Sequence, residues 1–293
     1  MLKRSCVTVA ALLLTGCGTT TTPVAEEAPK KADMSKQRLM ESSIATCMKQ
    51  AGFKYVPNVG RDEQPSSTEA GLAAGDYATM KADRAKYGFR VFSGLAYPDD
   101  PGSGALVADF GADPNWKITQ ALSDKQTKAY EKATDRCHAK AARKVLGKDV
   151  KDWRDQANQA AELVDKLTAR ELDGDAKVIA LAQTMAGCLN AKGYRIPAAR
   201  PSAVAGAMAA TFTAEREALL AKQYGAETAS SKGVTLVPDL PAEEAQVVLR
   251  REIKAALDDL ECGKEFYPVF APRKQDIERR VSEEFGGERR YTP

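Results

Sequence analysis

The chain has 293 residues, 43% hydrophobic and 6% aromatic, which is enough apolar matter for a folded core and excludes wholesale disorder. Its 43 basic and 40 acidic residues leave a net charge of +3, a balance that calls for neither nucleic acid nor an acidic ligand. Abundant alanine with few rings favours helices held close by small side chains.

At the N-terminus, Lys3 and Arg4 precede an apolar run from Cys6 to Leu14, broken only by Thr8. Spanning a bilayer takes about 20 residues, so this run fits the core of a secretory signal better than a transmembrane helix. Leu14-Thr15-Gly16-Cys17 follows at once. It resembles the lipobox of bacterial lipoproteins, an aliphatic residue and two small ones before the cysteine that takes the lipid. Cleavage before Cys17 and lipidation of its thiol are therefore expected. Two or three acyl chains anchor durably, at about 0.8 kcal/mol per buried methylene. Loss of Lys3 and Arg4 brings the mature net charge to about +1. Residues 17–32, rich in threonine, proline and charge, have nothing to bury and read as a disordered tether. The cluster Thr19–Thr22 reads as bare spacer rather than as a glycosylated segment.

Beyond the tether the chain reads as two copies of one pattern. A helix is predicted over 33–51, with Met40, Ile44, Cys47, Met48 and Ala51 on one face and Gly52 as its stop. A second is predicted over 176–192, with Val178, Leu181, Met185, Cys188 and Leu189 on its face and Gly193 as its stop. CMKQAGFKYVP at 47–57 matches CLNAKGYRIP at 188–197, with glycine five residues after cysteine, then an aromatic and a basic residue. Polar helices ending in Lys86-Tyr87-Gly88 and Gln223-Tyr224-Gly225 come next, then extended segments at 89–98 and 233–238. Each copy closes with a helix, opened by Ser123 in the first and by Pro241 with Glu243 and Glu244 in the second. Those helices carry Cys137 and Cys262.

A connecting helix over 149–171 shows an apolar stripe from Val150 and Trp153 to Leu167, and a short helix over 273–285 places Ile277, Val281 and Phe285 at intervals of four. The Gly-Pro-rich stretches 57–66 and 98–115 read as the least ordered parts of the first copy. The expected fold is mostly α, two similar helical halves from an internal duplication, with little or no sheet. The expected organisation is a signal peptide over 1–16, the tether over 17–32, repeat one over 33–147, the connecting helix over 148–172, repeat two over 173–265, and a C-terminal tail with a short helix over 266–293.

Four cysteines remain in the exported part, and an even number there reads as a disulfide framework. Of three possible connectivities, the duplication favours Cys47–Cys137 with Cys188–Cys262. No CxxC and no histidine spacing suits zinc, so no metal site and no cofactor are predicted. The one histidine, His138, lacks a Gly-x-Ser-x-Gly elbow and a free-thiol partner, and reads as structural. The carboxylate pairs Asp99/Asp100, Asp173/Asp175, Glu243/Glu244 and Asp258/Asp259 sit where helix caps or solvated faces explain them. The repeated aromatics Phe53/Tyr194 and Tyr87/Tyr224 read as packing at helix ends, with an apolar ligand groove as the sharper alternative.

With CMKQAGFKYVP, the later Tyr87-Gly88 and the helix of Cys137 in view, the chain is similar to a group of uncharacterised actinobacterial lipoproteins. Those share the lipobox, a helix ending in Cys-Met, glycine with a proline-containing turn, and a distant helical cysteine. Copy two departs from this pattern at Leu189, where the group has methionine. The resemblance implies a lipid anchor on the extracytoplasmic face of the cell membrane and brings no assigned activity and no catalytic residues to carry over. The expected function is a non-enzymatic binding or scaffolding role at the cell surface, with a protein, a wall polymer or a transporter component as partner and no nucleic acid. The alternative is a cell-wall hydrolase using two carboxylates.

Overall fold

A computed structural model describes residues 35–59, 65–104, 113–196, 200–225 and 236–287. Cys17, the leader and the tether lie outside these residues, as do parts of the two Gly-Pro-rich stretches and of the segment 233–238. Among the described residues there are eleven α-helices and no strand. No helix among them is long and apolar enough to cross a membrane.

Helix α1 (Lys36–Gln50) opens at Ser35, whose side chain accepts from the Arg38 N–H, and buries Met40, Ile44 and Met48 at successive turns. Its partner is α6 (Asp124–Leu146), which offers Tyr130, Ala133, Cys137 and Ala141 at spacings of three and four. Alanine lets the two backbones approach, and the Cys47–Cys137 disulfide crosses them at a Cα separation of 5.5 Å. Val150 completes this smaller core.

The larger core is built around α10 (Ala242–Cys262), which touches α3 (Tyr77–Tyr87), α4 (Ser93–Ala96), α8 (Ala176–Ala191) and α9 (Pro201–Tyr224). It buries Ala245, Leu249, Ala256 and Leu260 at helical spacing. Against them lie Val178 and Met185 of α8 and Val204 and Phe212 of α9. The Cys188–Cys262 disulfide joins α8 to α10, also at 5.5 Å. Helix α7 (Trp153–Glu171) touches α6 of the smaller core and α11 (Tyr267–Glu284) of the larger one.

The two disulfides have the connectivity that the repeated pattern favours. The two helix ends that suggested it have the same backbone. The N–H of Phe53 donates to Met48 O and that of Gly52 to Lys49 O; Tyr194 donates to Leu189 O and Gly193 to Asn190 O. Gly52 and Gly193 have φ of +85° and +90°. Both ends are Schellman closures, in which only glycine adopts the left-handed C′ position without strain.

Three elements differ from expectation. Residues 89–98 are not extended; they form a tight turn followed by α4, because three of their N–H groups are taken by a buried carboxylate described below. The stretch ahead of α3, where no element is predicted, holds α2 (Ser67–Ala74), fixed by a Ser66–Glu69 capping box. The C-terminal helix starts at Tyr267, six residues earlier than the periodicity predicts, with Pro268 accommodated in its first turn. Tyr267, Phe270 and Ile277 pack it into the larger core. The first half is not closed on itself either: Met80, Phe92 and Ala96 are buried in the larger core with residues of the second half.

Candidate functional site

Glu252 lies on the buried face of α10 and is 0% exposed. Its Oε1 accepts from the N–H groups of Phe89, at 2.7 Å, and Val91, at 2.9 Å; its Oε2 accepts from Phe92 at 3.0 Å. One carboxylate therefore satisfies three donors of the turn between α3 and α4, the role a sheet neighbour would have played had this segment been a strand. Gly88 makes the approach possible: with φ of +61°, a Cβ there would stand 2.8 Å from Glu252 Cγ. Burial pushes the Glu252 carboxyl above its ordinary value, against the three N–H groups and the charge of Arg216, which act to lower it.

Two turns along α10, Asp259 is also 0% exposed. It accepts from Arg84 Nη1 and from the Tyr267 hydroxyl, each at 2.5 Å, while Arg84 also donates to Ala256 O. The Arg84 guanidinium lies over the rings of Tyr267 and Phe89. These contacts hold α3 on α10 and set the direction in which the next turn leaves it.

That turn forms one wall of a groove of about 390 Å³. Val91 and Leu95 face Leu236, Val237 and Leu240 across it, and Arg90 and Arg216 also line it. Arg90 has φ of +64°, the only non-glycine residue with positive φ among those described. It is held there by Asp83, which takes both guanidinium nitrogens at 2.5 and 2.7 Å, by Gly102 O, and by the Tyr87 ring below it. Such a conformation costs about 1–3 kcal/mol and persists where its surroundings over-determine it. Arg216, from α9, differs from Arg90 in its satisfaction: its Nε is buried without a hydrogen-bond partner. Arg216 thus brings a half-buried guanidinium, with one donor unused within the protein, to the lining of this apolar groove.

The carboxylates singled out in the sequence have other work. Asp100 accepts from the Tyr87 hydroxyl and the Gly102 N–H and pairs with Lys86 at 2.7 Å. Asp173 accepts from the N–H and hydroxyl of Ser202, and Asp175 caps α8 and pairs with Arg273. Asp99 is exposed, and Glu243 and Glu244 lie in the first turn of α10. Asp258 and Asp259, adjacent in sequence, diverge. Asp258 turns to Lys192, Tyr194 and Lys254, which hold its carboxyl well below the usual range, whereas burial pushes Asp259 up despite Arg84. No sequence pair is brought to face across this groove.

His138 meets the Gln156 side chain at 2.8 Å, and Gln156 donates onward to Phe285 O, so this histidine ties α6 to α7 and the end of α11. The repeated aromatics sit at helix ends. Phe53 stands edge-on to Tyr130, Tyr194 donates to Asp258, Tyr87 donates to Asp100, and Tyr224 donates to Val237 O. No group of three or more His, Cys, Asp or Glu side chains among the described residues is arranged to hold a metal ion. Sequence reasoning missed Glu252, Arg90 and Arg216 altogether. The available signal for Glu252 was a charge at the centre of the apolar stripe Ala245-Leu249-Ala256-Leu260; nothing local marked either arginine. No protein family, curated protein or solved structure matches this chain.

Proposed function

We propose that the chain is a lipid-anchored extracytoplasmic binding protein whose ligand site is the groove between Arg90 and Arg216. The unpartnered buried Nε of Arg216, a residue that lines the groove together with apolar side chains, carries this reading. It calls for a small ligand with an acidic group for the guanidinium and an apolar body for Val91, Leu95, Val237 and Leu240. The groove volume falls within the range of small-molecule sites. The lipobox at Cys17 and the likeness to actinobacterial lipoproteins support the location. The matched helix ends at Gly52 and Gly193, and the tyrosine-glycine ends at Gly88 and Gly225, support the internal duplication.

Arg216→Met preserves most of the side-chain volume and removes the charge. Calorimetric titration with a medium-chain fatty acid and with the alcohol of equal length should show the acid binding more tightly to the unaltered chain. A charge-assisted hydrogen bond contributes about 1.5–3 kcal/mol, so the variant should lose roughly tenfold to hundredfold of its affinity for the acid and little for the alcohol. Equal binding of the acid to both proteins, or no binding to either, rules out this ligand site. The anchor is tested separately: Cys17→Ala should move the chain from the membrane to the soluble extracytoplasmic fraction, and full membrane retention of the variant would refute lipidation there.

A further inference from the structure

The chain has two tryptophans, and neither is in a core. Trp116 is 37% exposed and Trp153 is 54% exposed. Both line a second groove, of about 590 Å³, formed by α5 (Trp116–Gln120) with α6 and α7 and sharing no lining residue with the Arg216 groove. An indole is among the costly groups to leave in water, and this groove is lined by both of the chain's indoles. The lining also holds hydroxyls and carboxylates, chiefly Thr119, Thr127, Glu131 and Asp135. Tyr130 forms part of the lining, 5% exposed, and its Oη has no hydrogen-bond partner. One face of Trp153 carries the Arg154 guanidinium 4.6 Å from the ring centre.

This combination selects among ligands. An acyl chain would desolvate Glu131, Asp135 and the threonines without returning a hydrogen bond. A nucleic acid would bring its phosphates against the same two carboxylates. A pyranose ring has flat faces of C–H groups, electropositive enough to lie on the negative face of an indole, and a rim of hydroxyls that donate to carboxylates and exchange hydrogen bonds with threonines.

We propose that the tryptophan groove binds an uncharged hexopyranose chain, with Trp116 and Trp153 as stacking platforms and Glu131 and Asp135 as hydroxyl acceptors. This assignment does not depend on the Arg216 groove. Both tryptophans lie in the site, so intrinsic fluorescence reports on it directly. The probes are three tetrasaccharides, of β-1,4-linked glucose, β-1,4-linked N-acetylglucosamine and α-1,4-linked glucose, titrated against the full chain up to about 10 mM. The expected result is a saturable change in emission, with matching heat in calorimetry, for at least one of them. Trp153→Ala should weaken that binding at least tenfold, and Asp135→Asn should weaken it while leaving the emission of the free protein in place. The melting temperature of Trp153→Ala should stay near that of the unaltered chain, since most of this ring is solvated. The proposal is overturned if none of the three binds, if binding survives Trp153→Ala unchanged, or if a proline-rich peptide binds in a Trp153-dependent way while the sugars do not.

Discussion

Glu252→Ala should destabilise the chain by about 3–5 kcal/mol, lowering its melting temperature by roughly 10 °C. The substitution strips three buried N–H donors, those of Phe89, Val91 and Phe92, of their common acceptor. Each orphaned donor costs about 1–3 kcal/mol, and a water entering the vacated space recovers part of that. Chemical denaturation measures the loss, and a change below about 1 kcal/mol would show that the turn does not depend on this carboxylate.

Glu252→Gln isolates the charge. Because burial raises the folded-state value above 4.5, the folded chain keeps a proton at Glu252 where the unfolded chain has released it. The stability of the unaltered chain should therefore fall, relative to the glutamine variant, as pH rises from 4.5 through the raised value, and then run parallel to it. Asp259 titrates with the same sign in both proteins and cancels in the difference. A difference that grows in favour of glutamate with rising pH would mean that the three N–H groups and Arg216 outweigh burial.

The second large effect concerns the disulfides. Bonds spanning 90 and 74 residues each remove chain entropy worth about 4.5 kcal/mol from the unfolded state. The consequences should differ, because the bonds sit in different cores. Helix α1 packs mainly on α6, with Lys36 to Glu283 O as an outlying contact. Replacing Cys47 and Cys137 by alanine should free 36–50 to fast hydrogen exchange while α8–α10 stay protected. Replacing Cys188 and Cys262 acts on α10, which carries Glu252 and Asp259, and should lower the melting temperature of the larger core as a whole. Lys192 and Tyr194, both bonded to Asp258, would retain some of the α8–α10 contact. Uniform exchange in both double variants would contradict a separate α1–α6 unit.

The helical class, α1, α7 and α8 to within a few residues, and both disulfides were legible because each rests on local spacing or on the repeated placement of the cysteines. Glycine stops at Gly52 and Gly193 were legible for the same reason: a left-handed C′ residue is a one-residue requirement. The start of α11 was not legible because Pro272, just before the predicted start at 273, lies inside the helix, where proline usually breaks one. The segment 89–98 read as extended because phenylalanine and valine favour strands, yet its donors are satisfied from 160 residues away by Glu252.

The sequence by itself determined where α1, α7 and α8 run, since their apolar spacing and stops depend on neighbours three to five positions apart, and its repeated pattern favoured one pairing of the cysteines. Only the tertiary structure decided that α3 and α4 of the first half pack on α10 of the second, through Arg84 with Asp259 and Glu252 with the turn. It alone placed Arg216 beside an apolar wall and gathered both tryptophans into one groove. A charge on a helix has the same local signature whether it meets water, a backbone turn or a ligand. What distinguishes these is the group it faces across the fold, and that group comes from a distant part of the chain.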